Sequence, residues 1–280
     1  MGAGQREVWE SVRYDHLDRG PDQRRAAEAP ATGAMPMPRL DPPPGPGVLG
    51  RLRSVGARLG WPVALLYLAH RALRAVSGGR ADLHCYRLVA QPVRAADLLP
   101  DRLRGSLEVR VLGPDDPARA RALSQPADLP RRQARGDTCL AAFQDGRMVG
   151  YLWLCFAPFD DDETLCRFAP QEGGGGAWDF DLSVAPESRG GAVFAALWDG
   201  AWSVLRQGGY RWTASRVSAF NDLSLRSHAR IGARPAGAFL VLRAGRCRAV
   251  FATVRPHVRL AGRNARHAQV EVRAPRDRPV

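Results

Sequence analysis

Hydrophobic and polar positions follow two periods along residues 107–254, and the two periods alternate. Apolar residues at every second position predict strands, whereas apolar residues three and four positions apart predict helices. The predicted elements are strands at 107–112, 177–184 and 210–217, hairpins at 138–157 and 237–254, and helices at 115–125, 191–207 and 221–232. Asp145-Gly146 and Ala244-Gly245 supply the hairpin turns. This order of elements predicts a mixed α/β (α+β) fold.

The strand at 177–184 has one apolar and one polar face if its side chains alternate strictly. The apolar face would carry Trp178, Phe180, Leu182 and Val184. The polar face would carry Asp179, Asp181 and Ser183. We therefore expect two carboxylates side by side on this strand.

The flanking segments differ in composition from residues 107–254, which are predicted to form the main domain. Residues 1–47 are polar and proline-rich, which predicts a disordered arm. Residues 81–106 are predicted to be a linker. Residues 255–280 carry seven arginines and two acidic residues with little periodicity, which predicts a mobile basic tail.

Residues 48–80 form a separate basic segment with no acidic residue. Pro62 is well placed at a helix start, and Gly78-Gly79 closes the segment. The apolar residues between them form a broad arc, so the segment is predicted to be a basic amphipathic helix. Such a helix can lie on an anionic membrane surface or dock on the catalytic domain, and both interpretations stay open.

Charge alone says little about partners. The chain has 280 residues with a formal net charge of +13, and all 41 of its Lys and Arg positions are arginine. Together with abundant alanine, glycine and proline, this is typical of a GC-rich, bacterial coding sequence. The sequence has no aromatic-basic module typical of RNA-binding proteins, so no nucleic-acid partner is expected.

The five cysteines argue against a disulfide framework and against a zinc site, because their number is odd and no two form a CxxC pair. No metal is therefore expected. The N-terminus has no secretory signal pattern, and no uninterrupted apolar run is long enough to span a membrane. These features predict a cytoplasmic protein, with the inner face of the membrane as an alternative location through residues 48–80.

The stretch VAPESRGGAVF joins a predicted strand to a predicted helix. Val184-Ala185-Pro186 ends the strand, and Arg189-Gly190-Gly191 precedes the helix. The first amides of a helix have no internal acceptor, and the helix dipole favours an anion there. Taken alone, the stretch is either a phosphate-binding turn or a plain strand-to-helix connection.

A second motif begins about 30 residues later, after one helix and one strand. Asn221, Ser224, His228 and Gly232 are spaced along the predicted helix at 221–232. With the VAPESRGG stretch and the order of elements, this motif resembles the GNAT superfamily of acyl-CoA-dependent N-acyltransferases over residues 107–254. His228 stands where that family commonly has tyrosine, and Ala192 and Phe194 stand at its small positions.

The resemblance implies a splayed central mixed sheet flanked by helices, with acetyl-CoA or another acyl-CoA as co-substrate. The backbone of one strand end would bind the pantetheine arm, the turn and first helical amides would bind the pyrophosphate, and the second motif would hold the cofactor or the incoming nucleophile. The implied cofactor-binding residues are Leu182, Ser183, Val184, Arg189, Gly190, Gly191, Ala192, Val193, Phe194, Asn221 and Ser224.

Acyl transfer to an amine needs a base for the amine proton and an acid for the thiolate leaving group. Asp181 is the first candidate for the base, acting through water, and Asp179 is the second. His228 is the candidate acid, because histidine titrates near neutral pH. The alternative for either aspartate is a structural, hydrogen-bonded carboxylate.

The sequence therefore predicts an N-acyltransferase that acts on an amine of a small molecule or peptide. The alternative is a catalytically inactive GNAT-like module that binds acyl-CoA or interacts with a membrane surface.

Overall fold

The computed structural model describes residues 56–57, 59–170, 175–262 and 266–275. The predicted arm at 1–47 and the beginning of the segment 48–80 lie outside the described residues. Within them the strands are β1 (Ala81–Pro92), β2 (Glu108–Leu112), β3 (Thr138–Gln144), β4 (Arg147–Cys155), β5 (Phe159–Asp161), β6 (Cys166–Pro170), β7 (Gly176–Val184), β8 (Trp212–Ser218), β9 (Arg234–Ala244), β10 (Cys247–Ala252), β11 (Val258–Ala261) and β12 (Ala268–Val272).

The α-helices of the described residues are α1 (Trp61–Val76), α2 (Leu129–Arg135), α3 (Ala192–Gln207) and α4 (Asp222–Arg230). Pro62 lies in the first turn of α1, as predicted. The predicted helix at 115–125 is only a short 3₁₀ helix at Pro117–Ala120, where the Asp116 side chain accepts a hydrogen bond from the amide of Ala118. Both predicted hairpins are present as β3–β4 and β9–β10.

Nine strands form one mixed sheet in the order β11-β10-β9-β1-β8-β7-β4-β3-β2. Every neighbouring pair in it is antiparallel except β7 and β8, which are parallel. A second sheet has the order β12-β6-β5, and β12 pairs in parallel with β6. The predicted mixed α/β fold, with a large mixed sheet and flanking helices, is confirmed.

Two segments outside the predicted domain belong to these sheets, which corrects the predicted boundaries. Residues 81–92, predicted to lie in a linker, form β1 between β8 and β9. Most of β1 is buried on both faces, so its sequence does not alternate cleanly between apolar and polar residues. Residues 258–261 and 268–272, predicted to lie in a mobile tail, form β11 and β12.

Strands β7 and β8 pair only at one end. Gly176–Trp178 lies opposite Trp212–Ala214, and beyond these residues β7 and β8 no longer pair with each other. β7 nevertheless continues to Val184 and β8 to Ser218. The central sheet is therefore splayed between β7 and β8, and each strand presents a free backbone edge to the gap.

A β-bulge changes the side-chain alternation of β7. Phe180 pairs with Trp153, but Ser183 pairs with Tyr151, so the register shifts between these two pairs. Asp181 lies within the bulge with a φ of 48°, in the left-handed region. A bulge places two residues opposite one and re-aims a side chain. The prediction that Asp179 and Asp181 share one polar face is therefore wrong.

Helix α3 covers one face of the sheet and buries the apolar side that its periodicity predicts. Its Leu197, Trp198 and Trp202 pack with Leu140 and Leu152 of the sheet. A separate apolar cluster joins the small sheet to the central one through Phe168, Trp178, Phe239, Val270 and Val272. Burial of large apolar side chains in both clusters stabilises the sheet close to the gap.

Helix α1 docks on the domain. The Nδ1 atom of His70 lies 2.6 Å from the carbonyl oxygen of Leu83 in β1. The rings of Tyr67 and Phe220 approach edge to face at 5.4 Å between centroids. The segment 48–80 was expected either to lie on a membrane or to dock on the domain, and the side of α1 that carries Tyr67 and His70 is docked.

Candidate functional site

The predicted phosphate-binding turn lies at the N-terminus of α3. A short 3₁₀ turn at Pro186–Ser188 follows β7, and Gly191 is the residue before the helix. Gly191 has a φ of 96°, which favours glycine, and it is exposed, as are Arg189 and Gly190. The first helical hydrogen bond runs from the amide of Ala195 to the carbonyl of Gly191 at 2.9 Å. The amides of residues 192–194 therefore have no acceptor within the helix.

The side chains of Val193 and Phe194 turn away from this helix end. Val193 is buried in the cluster beneath α3. The Phe194 ring lies 6.2 Å from the Trp198 ring and 6.0 Å from the His228 ring, measured between centroids. A bulky residue at position 194 is therefore compatible with amide groups that face solvent.

The end of β7 leads directly into this turn. Val184 pairs with Gly150 and Ser183 with Tyr151, so one edge of Leu182–Val184 is bound to β4. The amide of Ala185 also bonds the carbonyl of Val149 at 2.8 Å. The other edge faces the gap that opens beyond Trp178 and Ala214. The structure thus brings the predicted pantetheine and pyrophosphate residues to one end of the gap.

Asn221 and Ser224 have local roles in α4. The Asn221 Oδ1 atom caps the helix by accepting a hydrogen bond from the amide of Ser224 at 3.1 Å. The carbonyl oxygen of Ser224 lies 2.8 Å from the Nδ1 atom of His228. These two residues therefore fix the start of α4 and the orientation of His228.

Asp179 and His228 form a buried pair beside the gap. Their relative exposures are only 1% and 4%, and the Nε2 atom of His228 lies 3.9 Å from the Oδ2 atom of Asp179. Because Nδ1 is next to a carbonyl oxygen, it must carry a proton and donate it. The Nε2 atom then faces the Asp179 carboxylate, at a separation longer than a direct hydrogen bond.

The sequence analysis missed Gln91 and Thr213, which complete this cluster. The Gln91 Nε2 atom lies 2.5 Å from Asp179 Oδ1 and 2.8 Å from Thr213 Oγ1. Gln91 lies in the segment that was predicted to be a linker. The signal that could have revealed it is a polar residue inside the apolar run LVAQPV.

Three buried polar atoms of the cluster region have no hydrogen-bond partner among the described residues. They are Gln91 Oε1, Ser215 Oγ and Trp198 Nε1. The Trp198 ring lies 6.0 Å from His228, and Ser215 follows Thr213 on the same side of β8. Unpaired buried polar atoms are costly, so water or a ligand group in the gap would stabilise this arrangement.

Asp181 lies on the opposite side of β7, among different partners. Its carboxylate accepts hydrogen bonds from the amide and hydroxyl of Ser124, from Tyr151 OH at 3.4 Å and from Arg132 Nη2 at 2.7 Å. The Arg132 guanidinium also lies over the Trp153 ring, 4.7 Å from its centroid. Asp181 thus ties the segment between β2 and β3 to β7, which fits the alternative of a structural carboxylate.

The buried cysteines are unsuited to nucleophilic chemistry. Burial raises the pKa of both Cys139 and Cys155 to about 12, so each thiol stays protonated near neutral pH.

Among the described residues, no group of three or more His, Cys, Asp or Glu side chains is arranged to hold a metal ion. No helix in the same part of the chain is both long and apolar enough to span a membrane.

Comparison with known proteins gives matches only among solved structures. No family model and no curated protein matches the chain. A conserved Staphylococcus epidermidis protein of unknown function is 12% identical, with a TM-score of 0.41, over 61% of this chain and 66% of that one. A GCN5-related glucosamine N-acetyltransferase region of a fungal multi-domain beta-N-acetylglucosaminidase is 16% identical, with a TM-score of 0.39, over 61% of this chain and 22% of that one.

An acetyltransferase of the GNAT family from Novosphingobium aromaticivorans is 12% identical, with a TM-score of 0.35, over 59% of this chain and 66% of that one. The chain therefore spans about two thirds or less of each of these three proteins. GNAT acetyltransferases are among the solved structures to which it is similar. The roles of individual residues rest on the geometry described above.

Proposed function

We propose that the protein is an N-acyltransferase that moves an acetyl or other acyl group from acyl-CoA to an amine of a small molecule or peptide. The observation that carries this proposal is the Asp179–His228 pair buried beside the gap between β7 and β8, close to the free N-terminus of α3. An acid–base pair, a free strand edge and an anion-binding helix end are together what this reaction needs.

The residues present fit acyl-CoA. The amides of residues 190–194, with Arg189 beside them, would bind the pyrophosphate, because they lie at the positive end of α3 and those of 192–194 have no acceptor within the helix. The free edge of Leu182–Val184 would pair with the amides of the pantetheine arm. Acyl-CoA supplies an activated thioester carbonyl to the acceptor amine.

The acid–base work is proposed for Asp179 and His228. In the overall reaction a C–N bond forms, the C–S bond breaks, and the proton lost by the amine ends on the thiolate. A carboxylate and an imidazole at one site offer both a proton acceptor and a proton donor. Because both side chains are buried, proton exchange with the substrate would pass through water near Gln91 and Ser215. Asp181 is proposed as a structural residue, since its oxygens already accept four hydrogen bonds.

A module that binds acyl-CoA without turnover is the second candidate. The near-complete burial of Asp179 and His228 favours it, because a buried pair reaches a substrate only indirectly. In the enzyme, acetyl-CoA binding and acyl transfer occur together. In the second candidate, binding occurs without turnover.

The test is calorimetric and thermal titration of the full chain with acetyl-CoA, followed by an acyl-transfer assay with a panel of amines. We expect saturable binding that stabilises the fold by about 2.7 kcal/mol at a hundredfold excess over Kd. Two substitutions of Ala192, at the first position of α3, provide matched variants. Ala192→Glu places a negative charge where the pyrophosphate would bind, and Ala192→Gln has the same size without the charge.

We expect Ala192→Glu to weaken acetyl-CoA binding at least tenfold while leaving the melting temperature of the free protein unchanged or slightly higher, because acidic residues favour a helix N-terminus. Ala192→Gln should bind like the wild type. Absence of wild-type binding at millimolar acetyl-CoA would overturn the proposal. If Ala192→Glu and Ala192→Gln bound acetyl-CoA equally well, the α3 N-terminus would not be the pyrophosphate site.

A further inference from the structure

Helix α1 has a second face that the domain does not cover. Trp61 is 57% exposed, Leu65 62% and Val76 83%. Leu68 and Ala72 lie between them at helical spacing, and Ala72 is also exposed. With 3.6 residues per turn, these five positions fall on one side of the helix, opposite His70, which contacts β1. An apolar stripe therefore runs the length of α1 on its outer side.

The charges around this stripe all have one sign. Arg71, Arg74 and Arg80 are exposed, and no acidic residue occurs between Asp41 and Asp82. Neither Asp nor Glu occupies the first turn of the helix, and Arg74 lies in its last turn. Long arginine side chains can rest on apolar surface while their guanidinium groups reach a polar layer. Arg71 flanks the stripe and Arg80 follows the helix, whereas Arg74 lies on the His70 side of α1.

This combination of an apolar stripe with cations disfavours a second copy of the chain as the occupant. Two such helices face to face would bring their arginines together with no acidic partner within either helix. A bilayer surface with anionic headgroups has the complementary charge and an apolar layer beneath it. Trp61 suits this boundary, because an indole ring prefers the zone between headgroups and acyl chains.

We propose that α1 attaches the protein to an anionic membrane surface, lying in its plane with Trp61, Leu65 and Val76 inserted and with Arg71 and Arg80 at the headgroups. The helix has 16 residues and would be about 24 Å long. The opposite side of α1 stays docked on β1, so the membrane contact needs no rearrangement of the domain. This attachment is independent of acyl-CoA binding.

The test is co-sedimentation of the full chain with vesicles of phosphatidylcholine alone or of phosphatidylcholine mixed with phosphatidylglycerol. We expect binding to the anionic vesicles only, and weaker binding as salt is added. The triple variant Trp61→Ser/Leu65→Ser/Val76→Ser should lose at least tenfold in partitioning. The variant Arg71→Gln/Arg80→Gln should lose about tenfold or more, because each cation near an anionic surface contributes to attraction.

Matched controls come from exposed residues elsewhere. Val258 and Leu260 are 58% and 78% exposed on β11, so Val258→Ser/Leu260→Ser removes comparable apolar surface. Arg102→Gln/Arg121→Gln removes two exposed arginines. Both controls should bind vesicles like the wild type, and all variants should keep the wild-type melting temperature.

Three results would overturn the proposal. The first is no wild-type binding to anionic vesicles. The second is equal loss of binding in the stripe variants and the controls. The third is a concentration-dependent dimer that the stripe variant abolishes, since the outer face of α1 would then bind a second copy.

Discussion

Asp179 and Asp181 are two positions apart, yet their carboxylates have entirely different partners. Asp179 contacts the neutral amide of Gln91 and lies near His228 at the splayed gap. Asp181 is paired with Arg132 on the other side of β7. The oxygens of Asp181 are thus occupied by structural partners, whereas the Asp179 carboxylate faces an imidazole. The bulge therefore places Asp181, a structural residue, and Asp179, the proposed acid–base residue, on opposite sides of β7.

Substitution of these residues should separate activity from stability. We expect Asp179→Asn and His228→Gln to lower kcat by about 10²- to 10⁴-fold, the usual range for acid–base groups, and to alter the pH profile of kcat. Asp181→Asn should instead destabilise the protein by about 3 kcal/mol, because it leaves the Arg132 charge buried without its main partner. Urea unfolding and steady-state kinetics of each purified variant measure the two effects.

The assignment would be wrong if folded Asp181→Asn lost activity as severely as Asp179→Asn. Adding Arg132→Met to Asp181→Asn is a further check. The double variant should be more stable than the sum of the single changes predicts, since it removes both charges of the pair.

At the level of elements, α3 approaches the sheet unusually closely at two glycines. A Cβ atom on Gly150 would lie 2.8 Å from Cγ1 of Val193 and 2.9 Å from the carbonyl oxygen of Ser183. A Cβ atom on Gly200 would lie 2.8 Å from Cγ1 of Val109. The position of the α3 N-terminus over the end of β7 thus depends on the absence of side chains beneath the helix.

Gly150→Ala should displace the first turn of α3 and destabilise the protein by about 1–3 kcal/mol, the usual cost of overpacking. Because the helix end would move, acetyl-CoA affinity should fall as well. Thermal unfolding and calorimetry measure the two effects. Gly105→Ala is the control, since nothing lies within 4 Å of its added Cβ, and it should stay within about 0.5 kcal/mol of the wild type.

Adding Val193→Ala to Gly150→Ala should restore only part of the stability. The clash with the backbone oxygen of Ser183 would remain, and the Val193 side chain would be lost from the core. An unchanged melting temperature in Gly150→Ala would contradict this account of helix packing.

At the level of the whole molecule, a buried polar cluster links α1, β1 and β9. The rings of His70 and His84 lie 5.1 Å apart, His84 Nε2 is 3.1 Å from Asp82 Oδ1, and Arg243 also binds Asp82. Burial lowers the pKa of His70 and of His84, and this effect is only partly offset, at His70 by the Leu83 carbonyl and Asp82 and at His84 by Glu163 and Asp82. Both histidines therefore take up a proton less readily in the folded protein than in the unfolded chain.

Stability should fall as the pH drops below about 6.5, where the unfolded chain takes up protons that the folded histidines resist. The slope is at most about 1.4 kcal/mol per pH unit for each histidine. Urea unfolding at pH 7.5 and 5.5 measures the effect, and His84→Gln should reduce it. His257→Gln, at an exposed position, should leave it unchanged. If the stability of His84→Gln depended on pH as strongly as that of the wild type, His84 would not contribute to the pH dependence.

Local sequence signals predicted much of the fold. The features that they missed depend on pairing between strands that are distant in the sequence. The hairpin at Asp145-Gly146 and the periodicity of α3 are encoded within a few residues, so both were predictable. Strand β1 was missed because its two buried faces and its polar residues Asp82 and His84 hide the alternation. The bulge at Asp181 depends on how β7 pairs with Tyr151 and Trp153, which no short stretch of sequence encodes.

The central position of β1 affects how the chain folds while it is being synthesised on the ribosome. Of the strands in the described residues β1 is synthesised first, but its neighbours in the sheet, β8 and β9, follow β2–β7 in the sequence. Until they emerge, β1 has two open edges, which are sites for pairing with other chains. Such late, long-range closure slows folding and exposes the nascent chain to aggregation. Translation speed near the codons for β8 and β9 should therefore affect how much protein reaches the native state.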